Sequence, residues 1–264
     1  MSKLRNTLLA ATMVAGGLII GTAPVHATPG TVFTGTDSVE FIVGSEVPVG
    51  GDFVQVTPLL LEWREGAEPT SFLRILSPSN TAVNITSDSG VWVDVAQFEH
   101  ENNIIPGGAF DFTIDLSDTF TLTGATFALT GTDTLGPTTL NVSFTETFNE
   151  DNVADCPAPN PLGSACDDIF AIPNLDDVIG TFLFTALGED WELSFRIFAE
   201  AAAGSFFDDA GNIIYTAEDF TSHLFIQAQI NQVPEPGSLA LLGIGLAGLP
   251  LLARRAKKAE AKKA

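Results

Sequence analysis

The strongest constraint on the fold is a repeated alternation of apolar and polar residues along the middle of the chain. In residues 110–116 the apolar side chains fall on every second position, with Asp or Thr between them. Residues 140–148, 191–197 and 224–230 show the same period of two. Successive side chains of a β-strand point to opposite faces, so this period indicates strands buried on one side only. The four stretches predict an all-β domain.

One charged residue interrupts this pattern. Leu140, Val142, Phe144 and Phe148 define the apolar side of the second stretch, and Glu146 falls in register with them. Glu146 is therefore the lone exception on the predicted apolar face.

Further strands are expected at residues 39–43, 53–56, 72–76, 91–98, 120–129 and 180–186, where aromatic and β-branched residues are frequent. Turn-forming sequences separate these stretches, at residues 48–51, 78–80, 87–90, 106–108 and 208–212. About ten short strands with such turns predict a single β-sandwich, of jelly-roll or immunoglobulin-like arrangement. The longest irregular piece, residues 150–177, is expected to be a structured surface loop with one short helical turn.

The first 27 residues have the features of a secretory signal peptide. Lys3 and Arg5 supply the positive region, residues 8–21 supply the apolar region, and cleavage is expected between Ala27 and Thr28. An uncleaved N-terminal anchor is the alternative.

The other end of the chain predicts a short membrane-spanning helix. Residues 237–253 carry no charge, and residues 254–264 hold six basic side chains. A bilayer-spanning helix needs roughly 20 apolar residues, so this run would cross with some thinning of the bilayer or snorkelling of the flanking cations. The positive-inside bias places the basic end in the cytoplasm and the preceding domain, residues 28–232, outside. A buried core helix is the alternative.

The tail also resembles a known bacterial sorting signal. The sequence Val233, Pro234, Glu235, Pro236 precedes the apolar segment, and Arg254 and Arg255 begin the basic end. This order resembles the PEP-CTERM sorting signal, here residues 233–264, which is recognised by an exosortase, a membrane-embedded protease-transpeptidase. The resemblance implies an exosortase partner, a transient inner-membrane stage with a cytoplasmic C-terminus, and a final place at the cell surface or outside the cell. It describes an address and leaves the cargo unassigned.

The net charge of the predicted exported segment limits the classes of molecule that it can bind. Residues 28–236 contain 32 of the 33 Asp and Glu residues but only three of the 11 Lys and Arg residues, which leaves a net charge of −29. Phosphate binding depends on Lys and Arg contacts, so a nucleic-acid function is excluded. Calcium or magnesium would relieve the repulsion, and three acidic pairs are candidate ligands for a structural cation: Asp167-Asp168, Asp176-Asp177 and Asp208-Asp209. The alternative is a solvated acidic surface with no bound ion.

Both cysteines lie in one short segment. Cys156 and Cys166 are separated by three prolines and a glycine, among other residues, which fold the segment back. In an exported chain, such a pair predicts a disulfide that pins a loop. No second cysteine pair or nearby histidine supports a zinc site.

No catalytic residue is predicted, and the chain is expected not to be an enzyme. Nucleophile elbow, phosphate-loop, dinucleotide and His-Glu-x-x-His motifs are missing from the sequence. His100 is expected to be solvated in a polar loop, and His223 to be exposed. A glycosidase needs only two carboxylates, but sequence alone offers no way to choose a pair among the 32.

Three functions remain open. The first is a non-enzymatic surface or matrix protein, which the PEP-CTERM resemblance associates with exopolysaccharide and biofilm. The second is a carbohydrate-binding or carbohydrate-active sandwich, in which tryptophans stack on sugars, although Trp63, Trp92 and Trp191 are expected to fill the core instead. The third is an ice-binding or adhesive protein, suggested only by the alternation of Thr119, Thr121 and Thr123.

Overall fold

A computed structural model describes residues 30–49, 52–64, 70–76, 81–104, 111–147, 153–156 and 159–233. The predicted signal peptide with its cleavage residues Ala27 and Thr28, the residues from Pro234 through the predicted membrane segment, and the basic end lie outside the described residues. Within the described ranges, no helix is long and apolar enough to cross a membrane.

The described residues are almost entirely β-structure. In chain order the strands are β1 (Val32–Phe41), β2 (Val47–Val49), β3 (Asp52–Thr57), β4 (Leu60–Arg64), β5 (Ser71–Leu76), β6 (Ala82–Thr86), β7 (Val93–Asn102), β8 (Asp111–Leu122), β9 (Thr126–Phe127), β10 (Thr134–Thr145), β11 (Asp168–Ala171), β12 (Gly180–Ala186), β13 (Glu189–Ala199), β14 (Ser205–Asp208), β15 (Ile213–Thr216) and β16 (Phe220–Gln232). Three short 3-10 helices span Val153–Asp155, Leu175–Asp177 and Ala201–Ala203.

The strands form two antiparallel sheets of eight strands each. In the first sheet the order is β14, β15, β11, β10, β8, β1, β6, and β2 also pairs with β8. In the second sheet the order is β3, β4, β5, β7, β16, β13, β12, β9. The predicted all-β class is thus confirmed, and two facing antiparallel sheets are consistent with a β-sandwich. The finer expectation of a jelly-roll or immunoglobulin-like arrangement stays a prediction.

Aromatic side chains join the two sheets. Phe33 of the first sheet packs against Phe184 and Trp191 of the second, with ring centroids 5.6 and 5.0 Å apart. Nearer the other end, Trp63 meets Phe112 at 5.1 Å. These edge-to-face contacts bury large apolar surfaces between the sheets, which explains why phenylalanine is so abundant in the chain.

Most predicted strands are found, but two of them are divided wrongly. The stretches 110–116 and 120–129 were expected to be separate strands, whereas β8 runs without interruption from Asp111 to Leu122. The chain turns only after Leu122, and the short strand β9 follows. The alternation continues through 116–122 with Asp118 in an inward position, and that buried carboxyl hid the continuity of the strand.

The long irregular piece is more ordered and more deeply packed than expected. Residues 150–177 were predicted to be a surface loop with one helical turn, but β11 lies inside this range and pairs with β10 and β15. Phe170, Ile172 and Leu175 join the core. The strand was missed because four residues are too few to show a period of two.

The predicted disulfide is present. Cys156 and Cys166 are bonded, with their Cα atoms 5.3 Å apart. The Cys166 end of the loop is buried, so the bond attaches the preceding segment to the first residues of β11.

Candidate functional site

Three carboxyl groups meet inside the domain. Glu146 directly follows β10, Asp168 is the first residue of β11, and Glu218 lies in the turn between β15 and β16. Each offers an oxygen within 4.8 Å of the others. Glu146 and Asp168 are fully buried, and Glu218 is 7% exposed. We refer to these three residues as the acidic cluster.

Strand register brings the three carboxyls together. Thr145, at the end of β10, pairs with Ile169 of β11, so Glu146 and Asp168 lie next to each other. Asp168 in turn pairs with Thr216 at the end of β15, two residues before Glu218. The cluster therefore forms where β10 and β15 end and β11 begins, at the same end of three neighbouring strands of the first sheet.

The loop closed by the Cys156–Cys166 disulfide contacts the backbone next to the cluster. Asp167 accepts hydrogen bonds from the Leu162 backbone N–H and the Ser164 hydroxyl, each at 2.7 Å. The Ser164 oxygen also accepts the backbone N–H of Glu218 at 3.2 Å. Asn160 Oδ1 accepts the Asp167 backbone N–H at 3.1 Å. The loop is thus hydrogen-bonded to Asp167, next to Asp168, and to the backbone of Glu218.

Burial disfavours the charged forms of all three carboxyls, and repulsion within the cluster adds to this effect for Glu146 and Asp168. Burial, and then the charge of Glu218, raises the pKa of Glu146 to about 8. The pKa of Glu218 rises to about 7, mainly through burial. Burial, followed by the charges of Glu146 and Glu218, raises the pKa of Asp168 well above its ordinary value. The cluster needs protons or a bound cation to offset its charge near neutral pH.

Polar groups around the cluster are poorly satisfied. Both carboxylate oxygens of Glu146 and Oδ2 of Asp168 are buried without a well-formed hydrogen bond in the part of the chain that the structure describes. The same is true of Trp63 Nε1 and of both side-chain polar atoms of Asn102. Trp63 lies near Glu146 and Asn102 near Glu218, where each lowers the pKa of its neighbour. Buried polar atoms are normally paired, so this concentration of exceptions is informative.

The donor set suits a hard cation. Calcium takes oxygen ligands at about 2.3–2.6 Å, and the three carboxylate oxygens, which lie within 4.8 Å of one another, are close enough to share one such ion after small side-chain shifts. The cluster is also closed to large substrates, because its exposure is at most 7%.

The sequence located part of this site. Glu146 was recognised as a charged residue on an apolar face, and Asp168 belonged to one of the three acidic pairs expected to bind a cation. Its neighbour Asp167 instead accepts hydrogen bonds from the loop. The pairs Asp176-Asp177 and Asp208-Asp209 lie outside the cluster. Glu218 was missed, because a turn glutamate in an acidic sequence has no local signal.

The two histidines of the domain are more buried than expected. His100 was predicted to be solvated in a polar loop, but it lies in β7 and is 3% exposed. Its ring stacks on Trp63 with centroids 5.4 Å apart, and Nδ1 lies 2.9 Å from the Thr216 hydroxyl. Burial lowers the pKa of His100 to about 3, so the ring is neutral at pH 7. His223 is about half-buried rather than exposed, with Nδ1 4.0 Å from a Glu99 oxygen.

The tryptophans largely fill the core. Trp63 and Trp191 are fully buried, as the sequence predicted, and cannot stack on a sugar. Trp92 is partly exposed, but the Arg196 guanidinium lies over its ring at 4.3 Å from the centroid. Arg196 also donates two hydrogen bonds to Gln227, at 3.0 and 2.8 Å.

The threonine row suggested by the sequence is short. Thr121 pairs across the sheet with Thr36 and Thr134, and its hydroxyl lies 3.2 Å from that of Thr134. A bulge between Leu135 and Thr138 then interrupts the register of β10. The structure therefore provides one three-strand row at this place, not the regular array of rows that an ice-binding face needs.

Comparison with known proteins identifies the tail. Residues 232–258 match the family model for the PEP-CTERM protein-sorting motif. No curated protein matches the chain. The matched segment begins at Gln232, the last residue of β16, so the motif starts where the final strand of the domain ends. The chain therefore carries a PEP-CTERM sorting motif, which supports exosortase-type sorting of an exported protein through a membrane-anchored intermediate.

Proposed function

We propose that this protein is a non-enzymatic cell-surface or extracellular-matrix protein, delivered by its tail and associated with exopolysaccharide or biofilm. The observation that carries the proposal is the match of residues 232–258 to the PEP-CTERM motif, directly after the last strand of the domain. The β-sandwich is the cargo, and the tail is its address.

The sequence of events follows from the physical character of each segment. The signal peptide directs the chain to the secretion machinery, and signal peptidase cuts between Ala27 and Thr28. The apolar run 237–253 then stops transfer in the inner membrane, because the basic residues behind it favour the cytoplasmic side. In this arrangement the box from Val233 to Pro236 lies at the outer face of the inner membrane, where an exosortase acts on it.

The properties of the domain itself suit an extracellular location. Its disulfide is of a kind that persists in oxidising compartments, and its net charge of −29 repels nucleic acids and anionic lipids. Its tryptophans are committed to packing or covered by Arg196, which favours a structural protein over a sugar-binding one.

Cell fractionation tests the address. In cells that contain the exosortase, the wild-type protein reaches the surface or the medium, whereas a variant with alanine at Pro234, Glu235 and Pro236 accumulates in the inner membrane. Deleting the exosortase traps the wild-type protein in the same fraction. A matched control, Lys262→Ala with Lys263→Ala, changes the tail beyond the matched residues and is sorted normally. Normal sorting of the box variant would refute the proposal.

Co-sedimentation with exopolysaccharide from the same cells tests the proposed location. We expect the processed protein to sediment with the polymer, and Trp92→Ala to leave this association unchanged. Loss of sedimentation in Trp92→Ala would favour the carbohydrate-binding alternative, because Trp92 is the tryptophan with an exposed edge.

A further inference from the structure

We propose that Glu146, Asp168 and Glu218, with the side-chain oxygen of Asn102, bind one calcium ion. The ion would lie at the ends of β10, β11 and β15, next to the disulfide-bonded loop. This site is independent of the sorting tail and would operate whatever the fate of the protein after export.

The three carboxyl groups are close enough together to share one ion. Their oxygens lie within 4.8 Å of one another, so small side-chain shifts would bring all three to a single ion at about 2.4 Å, the usual calcium–oxygen distance. The three residues come from segments that the register of β10, β11 and β15 holds in place. A cation would therefore find its ligands already assembled.

The Asn102 side chain supplies a fourth candidate ligand. Asn102 is 1% exposed, its amide N–H lies toward Glu218, whose pKa it lowers, and its Oδ1 is buried without a well-formed hydrogen bond among the described residues. A half-turn of the amide would present Oδ1 to the cluster in place of the N–H. An amide oxygen is a common calcium ligand, and leaving it unpaired in the interior costs about 1–3 kcal/mol. A bound cation would satisfy this oxygen together with the Glu146 oxygens, which lack a well-formed hydrogen bond among the described residues.

The ligand chemistry favours calcium over other metals. All four donors are oxygens, with no histidine or cysteine in the cluster, which disfavours zinc and copper. Magnesium requires a near-ideal octahedron at about 2.1 Å and retains several waters, whereas calcium accepts irregular shells of six to eight oxygens. A closed site with three carboxylates from separate segments fits the larger, more tolerant ion.

The loop explains how the site would be retained. Asp167 and Ser164 bind the backbone of the loop and of Glu218, and the bond between Cys156 and Cys166 holds that loop closed. The disulfide thus keeps in place the segment that leads directly into Asp168.

Calorimetric titration of the full chain, purified in detergent with its disulfide intact and stripped with chelator, tests the site. With calcium chloride we expect one site per chain, with a dissociation constant of about 1 mM or lower, as in extracellular calcium modules. Magnesium chloride should bind at least tenfold more weakly. Glu146→Gln and Glu218→Gln should each weaken calcium binding at least tenfold.

Two features make the result decisive. Each glutamine keeps the size of the residue and removes a buried charge, so these variants should remain folded, which circular dichroism checks. Glu189→Gln is the matched control, because Glu189 is also buried but lies outside the cluster, and it should bind calcium like the wild type. Absence of binding to the wild type at 5 mM calcium, or equal binding by wild type and both cluster variants, would overturn the proposal.

Discussion

Replacing Asp118 by asparagine should make the domain more stable at alkaline pH. Asp118 of β8 and Asp37 of β1 are both buried between the sheets, and Asp37 donates a hydrogen bond to Asp118. Burial, and then the charge of Asp118, raises the pKa of Asp37 well above its ordinary value. Burial also raises the pKa of Asp118, from 3.8 to about 6. Asp177 lines the same small cavity as Asp118.

The sign and size of the effect follow from these pKa values. A carboxyl whose pKa is raised in the folded state contributes stability that is fully present below pH 3.8 and is lost as the pH rises through about 6. Each tenfold change is worth about 1.4 kcal/mol, so ionising Asp118 costs the folded state about 3 kcal/mol by pH 8. The asparagine side chain cannot ionise, and its amide oxygen can still accept the hydrogen bond from Asp37.

Urea unfolding between pH 4 and pH 8 measures this effect. The free energy of unfolding of Asp118→Asn, relative to wild type, should rise by about 2–3 kcal/mol across that range. Contributions from the acidic cluster are common to both proteins and cancel in the difference. Asp190→Asn, at an exposed position of β13, removes the same formal charge from the surface and serves as the matched control. A difference between Asp118→Asn and wild type that stays flat from pH 4 to pH 8 would refute the reasoning.

Two further substitutions test the packing of the domain. Replacing Cys156 and Cys166 by serine should lower the free energy of unfolding by about 3 kcal/mol, because the bond closes a loop of about ten residues; an unchanged urea midpoint in oxidising buffer would contradict this. Gly35→Ala should cost about 1–3 kcal/mol by overpacking, because an added Cβ would lie 2.7 Å from the buried Phe120 ring. Gly188→Ala meets no atom within 4 Å, so its thermal unfolding should reveal only the milder strain of a positive backbone angle.

Alternation was sufficient to predict several individual strands because it reflects a property of each strand alone. The stretches at 191–197 and 224–230 fall within β13 and β16, and residues 180–186 match β12. Disulfide formation was also local, since Cys156 and Cys166 lie ten residues apart. In these cases the information lies within one segment of the chain.

The acidic cluster could not be predicted because it depends on which strands become neighbours. Glu146 and Glu218 are far apart in sequence and meet only because β11 lies between β10 and β15. The burial of His100 has the same origin, since its polar neighbours in sequence suggested a loop, while Trp63 and Thr216 from distant strands enclose the ring. Pairing between distant segments decided both outcomes.

Intact-mass analysis of the protein from cells with and without the exosortase is the most direct test. It shows whether the folded β-domain is exported and then cleaved from its sorting tail. We expect exosortase-containing cells to yield a chain that begins at Thr28, lacks the residues after the Val233–Pro236 box and retains the bond between Cys156 and Cys166. Cells without the enzyme should yield a chain that keeps residues 237–264. Identical masses from the two kinds of cell, or a protein with free thiols, would contradict the account.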